Sequence, residues 1–321
     1  MTTFGDQVFS AAGLLTPYGI PATFGTTFFV DVANGSDGFD GLSMTATGGS
    51  GPKATVLAAY NATTSNNHDV IVMTGAGAHV FTDELLVSKN RVHFVGLGGG
   101  SRYLGQRTRW TMGVTTGSAI ALLQVTGVGC TFSNIKMTSS DTLSTSLYCV
   151  ADGGEFTQFS NIWMEKDTDL NQTTAAELLG NGDTSYYKNC TFGNGIYTVT
   201  VARQNVLFTR ETISGKVARD TIFEDCIFLS RCNSTTFVNV RATTNDLERL
   251  TLFKNCTFQA VKTSPSTQAE AFGIASALTD SEIILQNSVT QNITNIATAT
   301  SGVYTNQPAG ADLGGLTIQA T

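Results

Sequence analysis

The sequence has few charged residues, and this excludes one class of partner. Only 13% of its 321 residues are Asp, Glu, Lys or Arg, against roughly 25% in an ordinary globular domain. The 18 Lys and Arg residues are scattered and are outnumbered by 25 Asp and Glu, which gives a net charge of −7. Such a chain cannot neutralise a row of phosphates, so we expect no nucleic acid among its partners.

Several other features are scarce or absent. No apolar run approaches the roughly 18 residues that a membrane-spanning helix requires, so we expect no membrane partner. The six cysteines form no CxxC pair, which argues against a zinc site, and we expect no metal and no cofactor. The first 15 residues lack the basic and apolar regions of a secretory signal. Reduced thiols and maturation in a cytoplasm are therefore expected.

Thr, Asn, Ser and Gly dominate the uncharged part of the sequence. These residues are poor helix formers and are common in strands and tight turns. Hydrophobic residues still make up 41% of the chain, which argues against disorder. The five prolines are few, and this favours long regular ladders over loops. The composition predicts a large all-β protein.

A repeat with a period near 30 residues is the strongest pattern in the sequence. Six segments share the order apolar, any residue, Asn or Asp, apolar or Cys, any residue, and usually apolar; their Asn or Asp positions follow at steps of 27, 28, 36, 30 and 32 residues. Asn tolerates the left-handed conformation, so each segment is predicted to be two short strands meeting at a bend. These corner positions are Asn134, Asn161, Asn189, Asp225, Asn255 and Asn287.

The residues after the corners are predicted to form interior columns. A single unit cannot bury its apolar side, whereas stacked units bury equivalent residues on one another. A metal or redox site is the alternative for the cysteines, although buried free Cys packs as a small hydrophobic residue. An Asn column would bond side-chain amides from coil to coil. The predicted interior residues are Cys190, Cys226, Cys256, Phe192, Phe228 and Phe258.

This periodicity predicts a parallel β-solenoid over residues 29–296. A short helix near residues 52–61 would cap the open end of the solenoid and cover its strand edges. Residues 1–28 match no coil and form a predicted N-terminal arm, whereas residues 297–321 form a tail rich in small residues.

The best acidic cluster for catalysis is Glu165, Asp167 and Asp169, just after a corner. Glycosidases need two carboxylates across a substrate, but the sequence cannot show such a pairing, and our main expectation is no catalytic residue. Asp37 and Asp40 could ligate calcium, although a structural turn is the simpler interpretation of their sequence.

The histidines and one glycine run show no further catalytic pattern. His68, His79 and His93 have no evident triad partners, and His93 alternates with apolar neighbours, so it is expected to face outward. Residues 96–100 lack the Lys-Ser/Thr of a P-loop, and a turn is expected there.

Several segments resemble pectate-lyase-like right-handed β-helices. The resemblance covers residues 27–292 and includes the Phe-x-Asn-Cys-x-Phe coils. It implies an all-β, single-stranded right-handed parallel β-helix. The Arg and calcium-Asp pattern of pectate lyases is missing, as are the paired Asp and His-Gly motifs of polygalacturonases. The segments before the repeats that carry the resemblance are residues 27–31, 34–37, 40–43, 68–72 and 90–96.

The whole chain also resembles a group of tailed-bacteriophage virion proteins. The shared features are the N-terminal arm with residues 3–9 (TFGDQVF), a single β-helix and a small-residue tail at residues 314–317 (GGLT). This resemblance implies a homotrimer that decorates and stabilises the capsid by binding the major capsid protein, with other capsid proteins as further candidates. It implies a non-enzymatic protein of the virion surface, made in the host bacterial cytoplasm.

The apolar residues of the arm are the expected capsid or inter-subunit contacts, because they belong to no coil and need burial elsewhere. The alternative function is a phage tailspike or receptor-binding protein with polysaccharide depolymerase activity, using Glu165, Asp167 or Asp169. A cell-surface adhesin is a third hypothesis, which the missing signal sequence disfavours. The arm residues are Phe4, Phe9, Leu14, Leu15 and Tyr18.

Overall fold

A computed structural model describes most of the chain between residues 25 and 305. Within the described residues, no helix has the length and apolar character needed to span a membrane. The described ranges are 25–75, 77–97, 108–113, 119–140, 146–167, 175–195, 203–210, 216–231, 237–242, 245–261, 268–275, 278, 281–297 and 302–305.

The described residues form one helix and 26 strands. In chain order, the elements are β1 (Thr27–Val30), α1 (Val56–Ala62), β2 (Val70–Met73), β3 (Ala78–Phe81), β4 (Leu85–Val87), β5 (His93–Gly96), β6 (Thr108–Met112), β7 (Ala121–Val125), β8 (Thr131–Ser133), β9 (Ile135–Ser139), β10 (Tyr148–Asp152), β11 (Gln158–Ser160), β12 (Trp163–Lys166), β13 (Ala176–Gly180), β14 (Tyr186–Lys188), β15 (Thr191–Phe192), β16 (Gln204–Leu207), β17 (Ala218–Glu224), β18 (Ile227–Ser230), β19 (Val238–Ala242), β20 (Leu247–Lys254), β21 (Thr257–Ala260), β22 (Gln268–Ile274), β23 (Ser281–Gln286), β24 (Val289–Gln291), β25 (Ile293–Ala297) and β26 (Val303–Thr305).

Three parallel sheets wrap around one core. Sheet 1 has the order β1-β2-β5-β8-β11-β14-β17-β20-β23-β26, sheet 2 has β3-β6-β9-β12-β15-β18-β21-β24, and sheet 3 has β4-β7-β10-β13-β16-β19-β22-β25. From β2 onward, each strand pairs with the strand three places along the chain, so every three strands complete one coil. This topology confirms the predicted parallel β-solenoid.

The repeated Asn and Asp residues lie at the corner between sheet 1 and sheet 2. All six have left-handed backbone, with φ between 51° and 60°. Asn161 Nδ2 donates to Asn134 Oδ1 at 3.0 Å, and Asn255 Nδ2 donates to Asp225 Oδ1 at 3.2 Å. Asn189 continues the ladder by donating to Asn161 Oδ1. The amides therefore bond from coil to coil at a bend that few other residue types tolerate.

Two aromatic columns fill the core. In the longer column, neighbouring ring centroids lie 4.6 to 5.1 Å apart and the rings are stacked. Phe192, Phe228 and Phe258 form the second column, with centroid distances of 4.9 and 4.7 Å. Ring-on-ring packing removes large apolar surfaces from water in every coil. The longer column consists of Phe94, Phe132, Phe159, Tyr187, Phe223 and Phe253.

The cysteines after the corners are buried and unreactive in character. Cys190, Cys226 and Cys256 are each 1% exposed, and their Sγ atoms donate at 3.4 Å to carbonyls of the preceding coil. Burial raises the pKa of the Cys226 thiol well above its usual value. These side chains pack as an interior column.

The helix and the ends of the solenoid differ slightly from the sequence-based boundaries. α1 begins at Val56 because Thr55 caps it by accepting a hydrogen bond from the Ala58 amide at 3.1 Å. Its buried residues include Tyr60, whose hydroxyl accepts from the backbone of the coil that follows. At the other end, β26 pairs with β23, so the solenoid continues past residue 296 to Thr305. The predicted boundary falls too early because the Thr- and Gly-rich sequence beyond it lacks the corner pattern.

Candidate functional site

The acidic cluster predicted from the sequence is only partly described. Glu165 is 3% exposed and pairs with Lys136 at 2.9 Å. Lys136 Nζ also lies 4.2 Å from the centroid of the Trp163 ring. Asp167 has one buried carboxylate oxygen without a hydrogen-bond partner in the described part of the chain, and Asp169 lies outside that part. Glu165 is therefore a buried carboxylate held in an ion pair with Lys136. This arrangement is typical of a structural role.

Asp37 and Asp40 use their carboxylates in turns. Asp37 accepts hydrogen bonds from the Ala54 amide and from the amide and hydroxyl of Thr55, at 2.9 to 3.0 Å. Asp40 accepts from the Leu42 amide at 2.9 Å, and also from a serine hydroxyl and a glycine amide. These contacts fix the segment before α1, as the structural interpretation of the sequence requires.

The arm residues expected to contact the capsid or another subunit cannot be placed. All five lie before residue 25, outside the described residues. They are Phe4, Phe9, Leu14, Leu15 and Tyr18.

A buried polar ladder inside the solenoid was missed by the sequence analysis. Glu177 pairs with Arg203 at 3.0 Å and accepts from Asn205 Nδ2 at 3.0 Å. The ladder continues from Asn205 to Asn239 and then to Gln268, each link being 2.8 Å long. Burial raises the pKa of Glu177 to about 7, although the Arg203 guanidinium opposes this shift. The one available signal was a polar residue in the middle of successive apolar strands.

A groove of about 410 Å³ lies on the outer face of sheet 1. Gln158, Tyr186, Ile222 and Leu252 form its floor and are register partners on β11, β14, β17 and β20. Neighbouring strands lie about 4.8 Å apart, so the floor extends for about 14 Å along the solenoid axis. The groove is thus elongated, and apolar in its central part.

One wall of the groove is a charged network around Glu224. The Tyr186 hydroxyl donates a short hydrogen bond to Glu224, whose carboxylate also lies 2.9 Å from Lys254 Nζ and 3.9 Å from Lys188 Nζ. The Tyr186 contact and the Lys254 ammonium lower the pKa of Glu224. Burial, followed by the contact with Glu224, raises the pKa of Tyr186 to about 12. The wall therefore stays ionised and internally paired around neutral pH.

A second row of charges flanks the turn that leads into sheet 1. Glu155, Asp183 and Arg219 are bridge partners on successive coils. Glu155 pairs with Lys216 at 2.7 Å, while Arg219 pairs with Asp183 at 3.1 Å and with Glu248 at 2.5 Å. These three acidic and two basic side chains all lie in ion pairs, so most of the charge in this row is neutralised.

Phe156 lines the groove in an unusual conformation. It belongs to a second column of left-handed residues, which lie two positions before β5, β8, β11 and β14; Arg91 has φ 55°, Gly129 68°, Phe156 53° and Thr184 58°. Phe156 as a whole residue is 59% exposed. Sequence analysis missed this corner because its members share no residue type.

The lining of the groove suits recognition better than covalent chemistry. Glu224 is the one carboxylate in the lining, and it is held by two other lining residues, Tyr186 and Lys254. A glycosidase pair or an activated nucleophile needs a second catalytic group at defined distance, and the described lining residues provide none. An apolar floor with a few oriented polar groups is the usual composition of a ligand site.

Solved structures of other proteins have a similar fold, although comparison by sequence finds no match. No protein-family profile matches the sequence, and no curated protein matches it either. A solved rhamnogalacturonan lyase has TM-score 0.58 and 14% identity, with 83% of this chain and 68% of that one covered. A pectate lyase has TM-score 0.57 and 12% identity, with 83% of this chain covered. The chain has the right-handed parallel β-helix fold.

A third solved structure extends the comparison to another reaction. The pectin methylesterase from Aspergillus niger has TM-score 0.51 and 15% identity, with 80% of this chain and 82% of that one covered. The chain spans only 63% of the pectate lyase. Identities this low show a shared fold, and the fold alone does not determine the function.

Proposed function

We propose that the protein binds an extended polysaccharide along the groove on the outer face of sheet 1. The elongated floor formed by Tyr186, Ile222 and Leu252 carries this proposal. The floor repeats at the spacing of the strands, about 4.8 Å, which is comparable to the spacing of sugar rings along a chain. The solved β-helix proteins named above are a pectin methylesterase, a pectate lyase and a rhamnogalacturonan lyase, and this supports a glycan ligand.

Binding to soluble polysaccharides tests this function directly. We expect wild-type protein to be retarded in affinity electrophoresis by at least one polysaccharide of a panel that covers neutral and acidic backbones. Leu252→Lys places a charge on the apolar floor and should weaken that binding at least tenfold. Leu86→Lys is the matched control, because Leu86 is a 45% exposed leucine on β4, in another sheet. No retardation by the panel, or equal binding by the Leu252→Lys variant, would contradict the proposal.

Cleavage of the bound chain is a separate question. The alternative predicted from the sequence is a tailspike or receptor-binding protein with depolymerase activity through Glu165, Asp167 or Asp169. The ion pair between Glu165 and Lys136 supports recognition without cleavage. A reducing-sugar assay on the bound polysaccharide is expected to show no release. Release that disappears in the Glu165→Gln variant would instead establish the depolymerase.

Capsid decoration is the second candidate function, and a specific surface favours it. Val32, Leu57 and Val80 are 40%, 52% and 69% exposed, and all three line a cavity of about 430 Å³ beside α1. β3 and β4 start sheets 2 and 3, with no described strand on their outer edges. Exposed apolar surface next to open strand edges is typical of protein contacts. It supports a protein partner, and for that role we propose a homotrimer on the virion surface that binds the major capsid protein.

Particle composition separates the two candidate functions. A decoration protein should be present in hundreds of copies per particle, and a tailspike in far fewer. Deletion of residues 2–20, which removes the five apolar arm residues, is expected to abolish capsid binding. Full occupancy of capsids by the truncated protein would contradict the role of the arm.

A further inference from the structure

We infer that the groove takes the ring of an uncharged sugar, stacked on the exposed face of Phe156. This inference rests on the proposed function and names both the ligand class and the residue that selects it. Three independent observations support it: the backbone of Phe156, the exposure of its ring, and the charge balance of the lining.

The backbone conformation of Phe156 is unfavourable for its residue type. Its φ of 53° lies in the left-handed region, where Cβ comes too close to the backbone carbonyl oxygen that follows it. The preceding coil places Gly129 at the same corner, and glycine adopts this conformation without steric cost. The corner therefore accepts glycine, yet this coil carries a phenylalanine.

Burial of the Phe156 side chain does not offset the free-energy cost of its left-handed backbone. With 59% of Phe156 exposed, the residue gains less from burial than the core aromatics do. A strained backbone position that also exposes an aromatic ring indicates a function outside the fold. Together with Tyr186, the ring adds an aromatic surface to the groove. The apolar face of a pyranose ring can stack on such a surface.

The charges of the lining favour an uncharged ligand. Glu224 and Lys254 are the charged lining residues, and they neutralise each other at 2.9 Å. An acidic sugar would have to compete with Glu224 for Lys254. Sugar hydroxyls can instead bond to the paired groups and to Gln158 or Thr184, which also line the groove. Neutral polysaccharides therefore fit the lining without breaking its ion pair.

Two glycine substitutions test this assignment. Phe156→Gly removes the ring and relieves the left-handed backbone, so its melting temperature should rise while its affinity for the neutral polysaccharide falls at least tenfold. Arg91→Gly is the matched control, since Arg91 occupies the same corner two coils earlier. It should also raise the melting temperature but leave affinity unchanged. Phe156→Trp keeps an aromatic face and should retain affinity within about threefold.

The probes are dextran, glucomannan and barley β-glucan as neutral polysaccharides, with polygalacturonate and alginate as acidic ones. Wild-type protein should bind a neutral polysaccharide at least tenfold more tightly than either acidic one. If no probe binds, the proposed function falls and this inference with it. If Leu252→Lys abolishes binding but Phe156→Gly does not, polysaccharide binding in the groove is supported and the role of Phe156 is contradicted. Preference for an acidic probe overturns the ligand class.

Discussion

At the scale of single residues, this solenoid depends on left-handed backbone at two corners of each coil from β8 to β20. At one corner the residue is Asn or Asp, and its side chain bonds to the next coil. At the other corner, His68, Arg91, Phe156 and Thr184 adopt φ between 53° and 58°. Backbone hydrogen bonds link the coils there, such as Phe156 N–H to the Asp183 carbonyl at 2.8 Å. The first corner therefore selects Asn or Asp, whereas the second is held by backbone hydrogen bonds and carries several residue types at a conformational cost.

Two substitutions of Asn161 separate what the left-handed backbone contributes to stability from what the side-chain amide bonds contribute. Asn161→Ala loses both the tolerance for φ 55° and the amide bonds to Asn134 and Asn189. We expect its unfolding free energy to fall by about 2 kcal/mol. Asn161→Gly keeps the backbone tolerance and should lose about 1 kcal/mol. Urea unfolding of both variants measures the difference, and equal losses would show that the left-handed backbone contributes nothing.

His93 makes stability depend on pH. It faces outward from sheet 1, as alternation predicts, but it is 6% exposed because the His68 ring stacks over it. Burial lowers the pKa of His93 to about 4, and His68 adds to this effect while Asp69 opposes it. Nitrogen atoms of the two rings lie 3.1 Å apart, and His93 Nδ1 lies 2.9 Å from Thr131 Oγ1. The folded protein therefore favours neutral His93.

The sign of the pH effect follows from this shift. The unfolded chain protonates His93 near its usual pKa of about 6.5, so between about pH 6.5 and 4 it binds more protons than the folded protein does. Stability should therefore fall on acidification through this window, by at most about 2 kcal/mol at pH 5. Denaturant unfolding at pH 7.5 and 5.0 measures the change, which the His93→Gln variant should lack. An equal change in that variant would assign it to other groups.

At the scale of elements, stacked aromatic rings hold neighbouring coils together. Phe223 lies between Tyr187 and Phe253, at 4.7 and 4.6 Å, and contacts Phe192 and Phe228 edge-on. Each coil contacts mainly its neighbours, so stability is distributed along the stack. Loss of one ring should weaken the coils on either side of it first.

Phe223→Ala tests this coupling. The cavity it leaves should lower the unfolding free energy by about 3–5 kcal/mol. Hydrogen exchange should accelerate most in β14, β17 and β20, the strands on which these rings lie. Ile284→Ala serves as the control, because Ile284 is half-buried on the outer face of sheet 1 and should lose far less. A uniform acceleration across all strands would contradict coil-by-coil coupling.

Sequence patterns predicted these elements unevenly. Sheets 1 and 2 flank the asparagine corner, and their alternating apolar residues identify both strands of each repeat. Three strands of sheet 3, β10, β13 and β16, are buried along their whole length. Because both faces of these strands are covered, they carry no period-2 pattern. The interior ladder of Glu177, Asn205 and Asn239 was hidden in such strands.

At the scale of the whole molecule, the closed coil shields its thiols. The five described cysteines are buried and free, and burial raises the pKa of Cys130 to about 11 and that of Cys149 to about 12. Thiolate is the reactive form, so these residues should be inert in the folded protein. The sixth, Cys232, lies outside the described residues.

Thiol titration checks this shielding. With Ellman's reagent, native protein should expose no more than one thiol per chain, and denatured protein should expose all six. Cys232→Ser is the control and should bring the native count to zero. Two or more reactive thiols in the native protein would mean that the coils open without global unfolding.

The sequence by itself determined the coil period, the left-handed corner and the residues stacked inside. Each of these is enforced in every coil by the same steric and burial requirement, and so it repeats. Only the tertiary structure decided the groove, because Phe156, Tyr186, Glu224 and Lys254 come from four different coils. Outward positions face solvent, which tolerates many residue types, so no repeat marks them. The register of the stack brings them together, and the long-range pairing of strands sets that register.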